Sequence, residues 1–355
     1  MIRSCYSYYH EQGYLNASMP ISTSSDCEGA GEVFTITHRT ARSSSLLTSS
    51  KGKERQTPGQ QRENDHFFDR PTFLSVSGQL HLEALTVGGG LSKAWHLGPA
   101  FRAERSDTNR HLNEFWMLEA ELAWTSEEEG GQGLEQVMQC VEGTVMRIVH
   151  DLVRERGDEI KEVLPNGWEV IQGHLQNGKD KQHWKRMTYA QAIQELQEIH
   201  EEVSGGLFQH PPTYAGGLRS EHERWLADRH GPTFVTDYPV NQKPFYMRLN
   251  EGDTAPSSDG SDKRTVACFD LLVPRIGELA GGSLREERLD ELEQAMKQRG
   301  MDLKEYEWYL DLRRYGSTGH GGFGLGWERL VAYLTGLENV RECIAFPRGS
   351  EGSRF

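Results

Sequence analysis

Residues 101–124 read FRAERSDTNRHLNEFWMLEAELAW and are typical of two β-strands joined by a polar loop. The alternation of apolar and polar residues predicts strands over 94–105 and 114–124. Residues two apart in a strand share a face, so Arg102 and Glu104 are expected to point the same way. One face of the second strand carries an aromatic ring and carboxylates: Phe115, Met117, Glu119 and Glu121. The opposite face is apolar, as a strand next to a core requires: Trp116, Leu118, Ala120 and Leu122.

The polar and aromatic face of this hairpin has two interpretations. A guanidinium can bind a phosphate bidentately and a phenyl ring can stack on a purine, which favours a nucleotide site around Arg102 and Phe115. An amphipathic hairpin with surface ion pairs explains the same pattern. The hairpin alone does not separate the two.

A glycine-rich run precedes a predicted helix near the end of the sequence. Residues 320–329 read HGGFGLGWER, and the helix is predicted over 326–335. Glycines let a backbone approach a ligand closely and a helix N-terminus favours an anion, so Arg329 could reach a terminal phosphate. The run is not a P-loop, because Lys-Ser/Thr is missing, and not a Rossmann turn, because no strand-helix-strand unit surrounds it. Structural glycine turns before helices are common, so the run alone is weak evidence.

An apolar strand in residues 270–285, DLLVPRIGELAGGSLR, carries charged residues at both ends. Asp270 and Glu278 could supply carboxylate oxygens to Mg²⁺, and Arg285 could supply a guanidinium to a substrate. An edge strand with a solvated end explains the pattern equally well.

Small polar residues end another apolar run in residues 72–83, TFLSVSGQLHLE. The amide of Gln79 could hydrogen-bond the head group of an amino acid. The stretch says little by itself.

Composition excludes several classes of protein. The 355-residue chain has a net charge of −14, which argues against a protein that coats nucleic acid non-specifically. No apolar run approaches the roughly 20 residues of a membrane-spanning helix, so no membrane association is expected. The five cysteines are scattered without a C-x-x-C pair, which predicts neither a disulfide framework nor a zinc site and favours a reducing compartment.

Three helices and two polar segments complete the predicted architecture. Apolar residues at helical spacing predict helices over 133–156, 188–200 and 284–299. Segments 39–66 and 251–264 are rich in small, polar and charged residues and are predicted to be flexible insertions. Strands mixed with helices on one sheet indicate the α+β class.

Together, these stretches resemble the class II aminoacyl-tRNA synthetases of the aspartate, asparagine and lysine subgroup. Residues 13–34 are similar to the first class II motif and the adjoining substrate loop, 101–121 to the second motif, and 322–329 to the third. Three further stretches resemble the asparagine-specific members of bacterial or organellar type: 76–83, 237–248 and 277–286.

The resemblance implies a fold and an assembly. The fold is the class II catalytic domain over residues 1–355, with a six- or seven-stranded antiparallel sheet flanked by helices. Members usually form homodimers through the first motif. They usually also carry an N-terminal anticodon-binding barrel, which we expect to be absent because this sequence begins close to the first motif.

The resemblance also implies roles for individual residues. Arg102 would hold the α-phosphate of ATP and Phe115 would stack on adenine. The implied ATP-binding residues are Arg102, Glu104, His111, Phe115, Glu278 and Arg329. Of these, the implied catalytic residues are Arg102, Glu278 and Arg329. Asp270 and Glu278 would bind Mg²⁺. The implied amino-acid-binding residues are Glu28, Gln79, Glu104 and Arg285.

The implied reaction activates asparagine with ATP and transfers the acyl group of the adenylate to the 3′ end of tRNA(Asn). In the aspartate-specific members, a lysine lies three residues after the glutamine that Gln79 matches. Leu82 occupies that position here, which favours a neutral amide substrate. The alternatives are an aspartate enzyme, a paralogue that forms asparagine without tRNA, and a non-catalytic protein that retains the fold. The resemblance and the polar insertions favour the mitochondrial matrix, with a bacterial cytoplasm as the alternative.

Overall fold

The computed structural model of the chain describes residues 1–25, 33–37, 67–105, 108–124, 132–179, 184–252 and 264–350. All of the predicted insertion 39–66 and most of 251–264 lie outside these residues, as does Glu28.

One mixed sheet of eight strands dominates the described structure. The strands are β1 (Leu15–Asn16), β2 (Ser22–Thr23), β3 (Phe73–Leu74), β4 (Lys93–Phe101), β5 (Glu114–Ala123), β6 (Lys185–Thr188), β7 (Thr233–Thr236), β8 (Cys268–Val273), β9 (Gly277–Leu284) and β10 (His320–Gly326). The sheet has the order β1-β4-β5-β10-β9-β8-β7-β6, and β2 pairs with β3 separately. The edge pairs β1–β4 and β6–β7 are parallel, whereas the central pairs are antiparallel. The α+β prediction is confirmed. The sheet has more strands than the six or seven that the resemblance implied, and it is mixed and not wholly antiparallel, because its two short edge strands pair in parallel with their neighbours.

Helices flank this sheet. They are α1 (Ile2–Glu11), α2 (Gln79–Glu83), α3 (Gly133–Val163), α4 (Pro165–Lys179), α5 (Tyr189–Glu202), α6 (Ser220–His230), α7 (Leu289–Gln298), α8 (Glu307–Arg314) and α9 (Trp327–Thr335). Helix α3 buries one apolar stripe at helical spacing: Val137, Val141, Val145 and Ile148. Its backbone leaves helical geometry at Arg156, where the helix predicted over 133–156 ends. Among the helices of the described residues, none is long and apolar enough to cross a membrane.

The glycine-rich run 320–326 is a strand, not the turn that the sequence suggested. Added at Gly322, a Cβ atom would lie 2.3 Å from the carbonyl oxygen of Ala120, and at Gly324 it would lie 2.5 Å from Met117 Cε. These glycines therefore leave room for the residues of the neighbouring strand β5. Glycine carries no apolar side chain, so the run has no strand periodicity to detect.

The helix predicted over 284–299 begins later, at Leu289. Leu284 ends strand β9, and its predecessors pair with β10 and β8. The prediction of the helix end is confirmed, because Gly300 follows with φ of 70°.

The hairpin of β4 and β5 has the two faces that the sequence predicts. Leu118, Ala120 and Leu122 are buried in the core. Strand β4 ends at Phe101, so Arg102 lies in the loop that follows and not in the predicted strand. Trp116 lies near the start of β5 and is 40% exposed, although the alternation places it on the apolar face.

Candidate active site

Two adjoining cavities lie on the polar face of strand β5. The first has a volume of about 230 Å³ and the second about 300 Å³. Four residues line both cavities: Arg102, Met117, Glu278 and Gly324. A molecule that fills both would therefore pass the Arg102 guanidinium and the Glu278 carboxylate at the junction.

The first cavity combines an aromatic ring with cationic side chains. The guanidinium carbon of Arg102 lies 5.5 Å from the centre of the Phe115 ring. His111 Nε2 lies 3.6 Å from Glu104 Oε2. Burial lowers the pKa of His111, so its imidazole is mostly neutral at pH 7. The ring and the guanidinium together suit a nucleoside phosphate.

Arg329 fixes the far wall of the first cavity. Its Nη1 donates to the backbone carbonyl of Glu278 at 2.9 Å and lies 3.8 Å from that residue's Oε2. Helix α9 carries Arg329 in its first turn, directly after the glycine-rich strand. Because α9 directly follows strand β10, the Arg329 guanidinium lies beside the Glu278 carboxylate.

The second cavity is built around a buried ion pair. Arg285 is 3% exposed, and it donates to Glu121 through Nε at 3.0 Å and through Nη2 at 2.9 Å. Gln79 Nε2 donates to Glu83 Oε1 at 3.0 Å. Leu82 also lines this cavity. A guanidinium that is already matched by a carboxylate presents little net charge to a ligand.

Glu119 closes one wall of the second cavity. Its carboxylate accepts from the Ser77 hydroxyl at 2.5 Å and from the Gly78 backbone N–H at 2.9 Å. Gly78 is the N-cap residue of α2, so the carboxylate satisfies a backbone donor at the start of that helix. This contact fixes α2, which carries Gln79, against strand β5.

Asp270 and Glu278 lie on neighbouring strands and face a gap left by Gly281. A Cβ atom at Gly281 would lie 3.4 Å from Glu278 Oε1 and 3.5 Å from Asp270 Oδ1. Lys243 Nζ donates to both Asp270 oxygens, at 2.7 and 2.6 Å. Hard carboxylate oxygens suit Mg²⁺, which usually takes one or two of them together with water and phosphate oxygens. Asp270 and Glu278 would therefore suit a magnesium ion, with the Lys243 ammonium beside Asp270. Among the described residues, no group of three or more metal-binding side chains occurs.

Comparison with known proteins identifies this arrangement. The family described as tRNA synthetases class II (D, K and N) matches residues 1–350. The chain belongs to this family of class II tRNA synthetases.

Two curated relatives of this class II synthetase are named asparagine–tRNA ligases. Over 98% of its length it is 40% identical to the asparagine–tRNA ligase of Pseudoalteromonas atlantica, and it covers 69% of that protein. Over its whole length it is 41% identical to the ligase of Xylella fastidiosa, of which it covers 70%.

A solved structure gives the same picture. The chain is similar to the asparaginyl-tRNA synthetase of Pyrococcus horikoshii complexed with asparaginyl-adenylate, with a TM-score of 0.74 and 32% identity. That match covers 98% of this chain and 66% of the other, so the class II synthetase described here spans about two thirds of the length of that protein.

The structure brings together all of the predicted site residues that it describes. The first cavity is lined by Arg102, Glu104, His111, Phe115, Glu278 and Arg329. The second is lined by Gln79, Asp270, Glu278 and Arg285. Glu28 lies outside the described residues, so its role in the class II synthetase stays a prediction.

Some residues of this synthetase site were not assigned from the sequence. Glu121 was placed on the polar face of the hairpin, but no sequence signal connects it to Arg285. Lys243 lies within the asparagine-type stretch 237–248 and could have been singled out as a cation. Arg110 lines the first cavity and donates to the Ile276 carbonyl at 2.6 Å. Such contacts join distant segments and leave no local pattern.

Proposed function

We propose that this chain is an asparagine–tRNA ligase, which forms asparaginyl-adenylate from asparagine and ATP and transfers the asparaginyl group to the 3′ end of tRNA(Asn). The observation that carries the proposal is the position of Arg102 at the junction of the two cavities. A nucleotide in the first cavity and an amino acid in the second would meet at its guanidinium.

The first cavity would hold ATP. Phe115 would stack on the adenine, and Arg102 would bind the α-phosphate. Arg329 and His111 line the same cavity and would meet the β- and γ-phosphates. The asparagine carboxylate would then attack the α-phosphorus and displace pyrophosphate. This reaction brings two anions together, so positioning and cationic stabilisation carry most of the catalysis.

The second cavity favours an amide over a carboxylate. Arg285 can donate to the side-chain oxygen of asparagine, while Glu121 can accept from the amide nitrogen. Aspartate would instead place its carboxylate against Glu121, and the lysine that the aspartate enzymes carry is replaced by Leu82. A buried site that is matched to one polar group discriminates strongly against another.

Several partners belong to the same proposal. Asp270 and Glu278 would hold Mg²⁺, which neutralises phosphate charge when it is bound. Transfer to tRNA(Asn) and assembly into a homodimer are proposed from the similarity to whole synthetases. We also propose the mitochondrial matrix, with the bacterial cytoplasm as the alternative. The matrix is supported by the resemblance to synthetases of organellar type and by the polar insertions. The bacterial relatives do not point to mitochondria.

ATP–pyrophosphate exchange with asparagine tests the proposal through Arg102→Ala. We expect this variant to lose about 100- to 1,000-fold in kcat/KM, as is usual when a donor to transition-state charge is removed. The matched control is Arg105→Ala, because Arg105 is exposed and lines neither of the two cavities. Equal activity of the two variants would contradict the assignment of Arg102. If the unmodified protein shows no exchange with any amino acid, the result would support a non-catalytic protein.

A further inference from the structure

A buried cluster of polar and charged side chains lies behind the second cavity. Glu83 on α2, Arg313 on α8 and His320 on β10 have side chains that are 0% exposed. Glu83 Oε2 accepts from the Tyr309 hydroxyl at 2.6 Å and from Arg313 Nη2 at 2.8 Å. His320 Nε2 lies 3.3 Å from the same oxygen. One oxygen of Glu83 is thus held by the scaffold of the fold.

The other oxygen of Glu83 faces the residues that line the cavity. Oε1 accepts from Gln79 Nε2 at 3.0 Å and lies 3.8 Å from Arg285 Nε. Gln79 and Arg285 come from different elements and both line the second cavity. Glu83 is the single carboxylate among the described contacts of these two residues that touches both.

Glu83 carries its negative charge in this buried place. Burial alone would raise its pKa, but the neighbouring Arg313, His320 and Arg285 hold the pKa well below the usual carboxyl range. Such a charge is tolerated inside a protein only when it is paired and hydrogen-bonded. The cluster therefore keeps a fixed anion behind Gln79 and Arg285, which line the second cavity.

We propose that Glu83 is a positioning residue, which aligns Gln79 and Arg285 and whose charge sets the preference for a neutral amide over a carboxylate. Arg285 already faces two carboxylates, Glu121 at 2.9 Å and Glu83 at 3.8 Å. A substrate carboxylate would be the third anion around one guanidinium. Removal of the Glu83 charge leaves Arg285 with only one balancing anion and favours aspartate. The inference rests on the proposed function, because it concerns the amino-acid side of that same site.

Glu83→Gln tests this role in ATP–pyrophosphate exchange with asparagine and with aspartate. It keeps the size of the side chain and removes its charge. We expect the KM for asparagine to rise and the asparagine-to-aspartate ratio of kcat/KM to fall, each by roughly tenfold, as for one lost charge-assisted hydrogen bond. The KM for ATP should change by less than about twofold, because no described Glu83 contact reaches the first cavity.

Two further variants separate positioning from folding. Glu142→Gln is the matched control, because Glu142 is also a buried carboxylate paired with a guanidinium, that of Arg186 at 2.6 Å. It should leave the ratio unchanged. Tyr309→Phe removes one hydrogen bond to Glu83 without changing a charge, and it should raise the KM for asparagine by about threefold. This variant carries the test if Glu83→Gln does not fold.

The outcomes of this experiment are distinct. A lower asparagine-to-aspartate ratio of kcat/KM in Glu83→Gln, with a constant KM for ATP, supports the proposal. The proposal would be overturned if Glu83→Gln left the asparagine-to-aspartate ratio of kcat/KM unchanged or shifted the KM values for asparagine and ATP equally. It would also be overturned if Tyr309→Phe left the KM for asparagine unchanged. Failure of the unmodified chain to exchange with asparagine would overturn the proposed function itself. The same exchange assay measures this outcome.

Discussion

Gly322→Ala perturbs the candidate site through a single methyl group. A Cβ atom at this position would lie 2.0 Å from Glu121 Oε2 and 2.3 Å from the Ala120 carbonyl oxygen. Both distances are far below contact distance, and the second atom belongs to the backbone. Strand β5 and the Glu121 carboxylate must therefore move.

The cost of this substitution has two parts. Overpacking in a well-packed core costs about 1–3 kcal/mol. Displacement of Glu121 weakens its two hydrogen bonds to Arg285, and disruption of a buried ion pair costs about 3–5 kcal/mol when one partner is lost. We expect the free energy of unfolding to fall by at least about 2 kcal/mol and the KM for asparagine to rise.

Denaturant unfolding and amino-acid-dependent exchange measure both effects. The matched control is Gly319→Ala, because a Cβ atom there would meet only Trp124 Cε3, at 3.7 Å, an ordinary contact. We expect this control to change the free energy of unfolding by less than about 1 kcal/mol. Equal stability and equal KM for asparagine in the two variants would refute the reasoning from close approach.

Two further predictions concern adenine binding and pH. Phe115→Leu should raise the KM for ATP by about 5- to 150-fold, as expected for the loss of a base-stacking ring, whereas Trp116→Leu on the opposite face should not; similar values for both would contradict the two-faced hairpin. Burial lowers the pKa of His174 to about 4, so the folded protein binds fewer protons than the unfolded chain below pH 6.5. The free energy of unfolding should therefore fall by up to about 3 kcal/mol between pH 6.5 and 4. His174→Gln should remove that part of the pH dependence in thermal unfolding. If the variant keeps the pH dependence of the unmodified protein, His174 is not responsible for it.

The sequence predicts local features of this protein well. Helix α3 and the two faces of the hairpin follow from apolar spacing, which reports which side of an element is buried. Many, but not all, of the residues that line the cavities were predicted from the resemblance, because they lie within its motifs. Arg102 and Phe115 are examples, although the strand ends one residue before Arg102.

Long-range features could not be predicted in this way. Glu83 and Arg313 are separated by 230 positions, and their pairing depends on how α2 and α8 meet behind the sheet. The pairing of Glu121 with Arg285 likewise depends on β10, which lies between β5 and β9. Periodicity describes single elements, whereas these contacts depend on the order of strands in the sheet.

The central claim is that the second cavity selects asparagine. ATP–pyrophosphate exchange, measured with purified protein, ATP and Mg²⁺, compares kcat/KM for asparagine with kcat/KM for aspartate. We expect asparagine to be favoured by at least about 100-fold, because the buried Arg285–Glu121 pair matches one polar group and rejects the other. Equal or faster exchange with aspartate would contradict the claim.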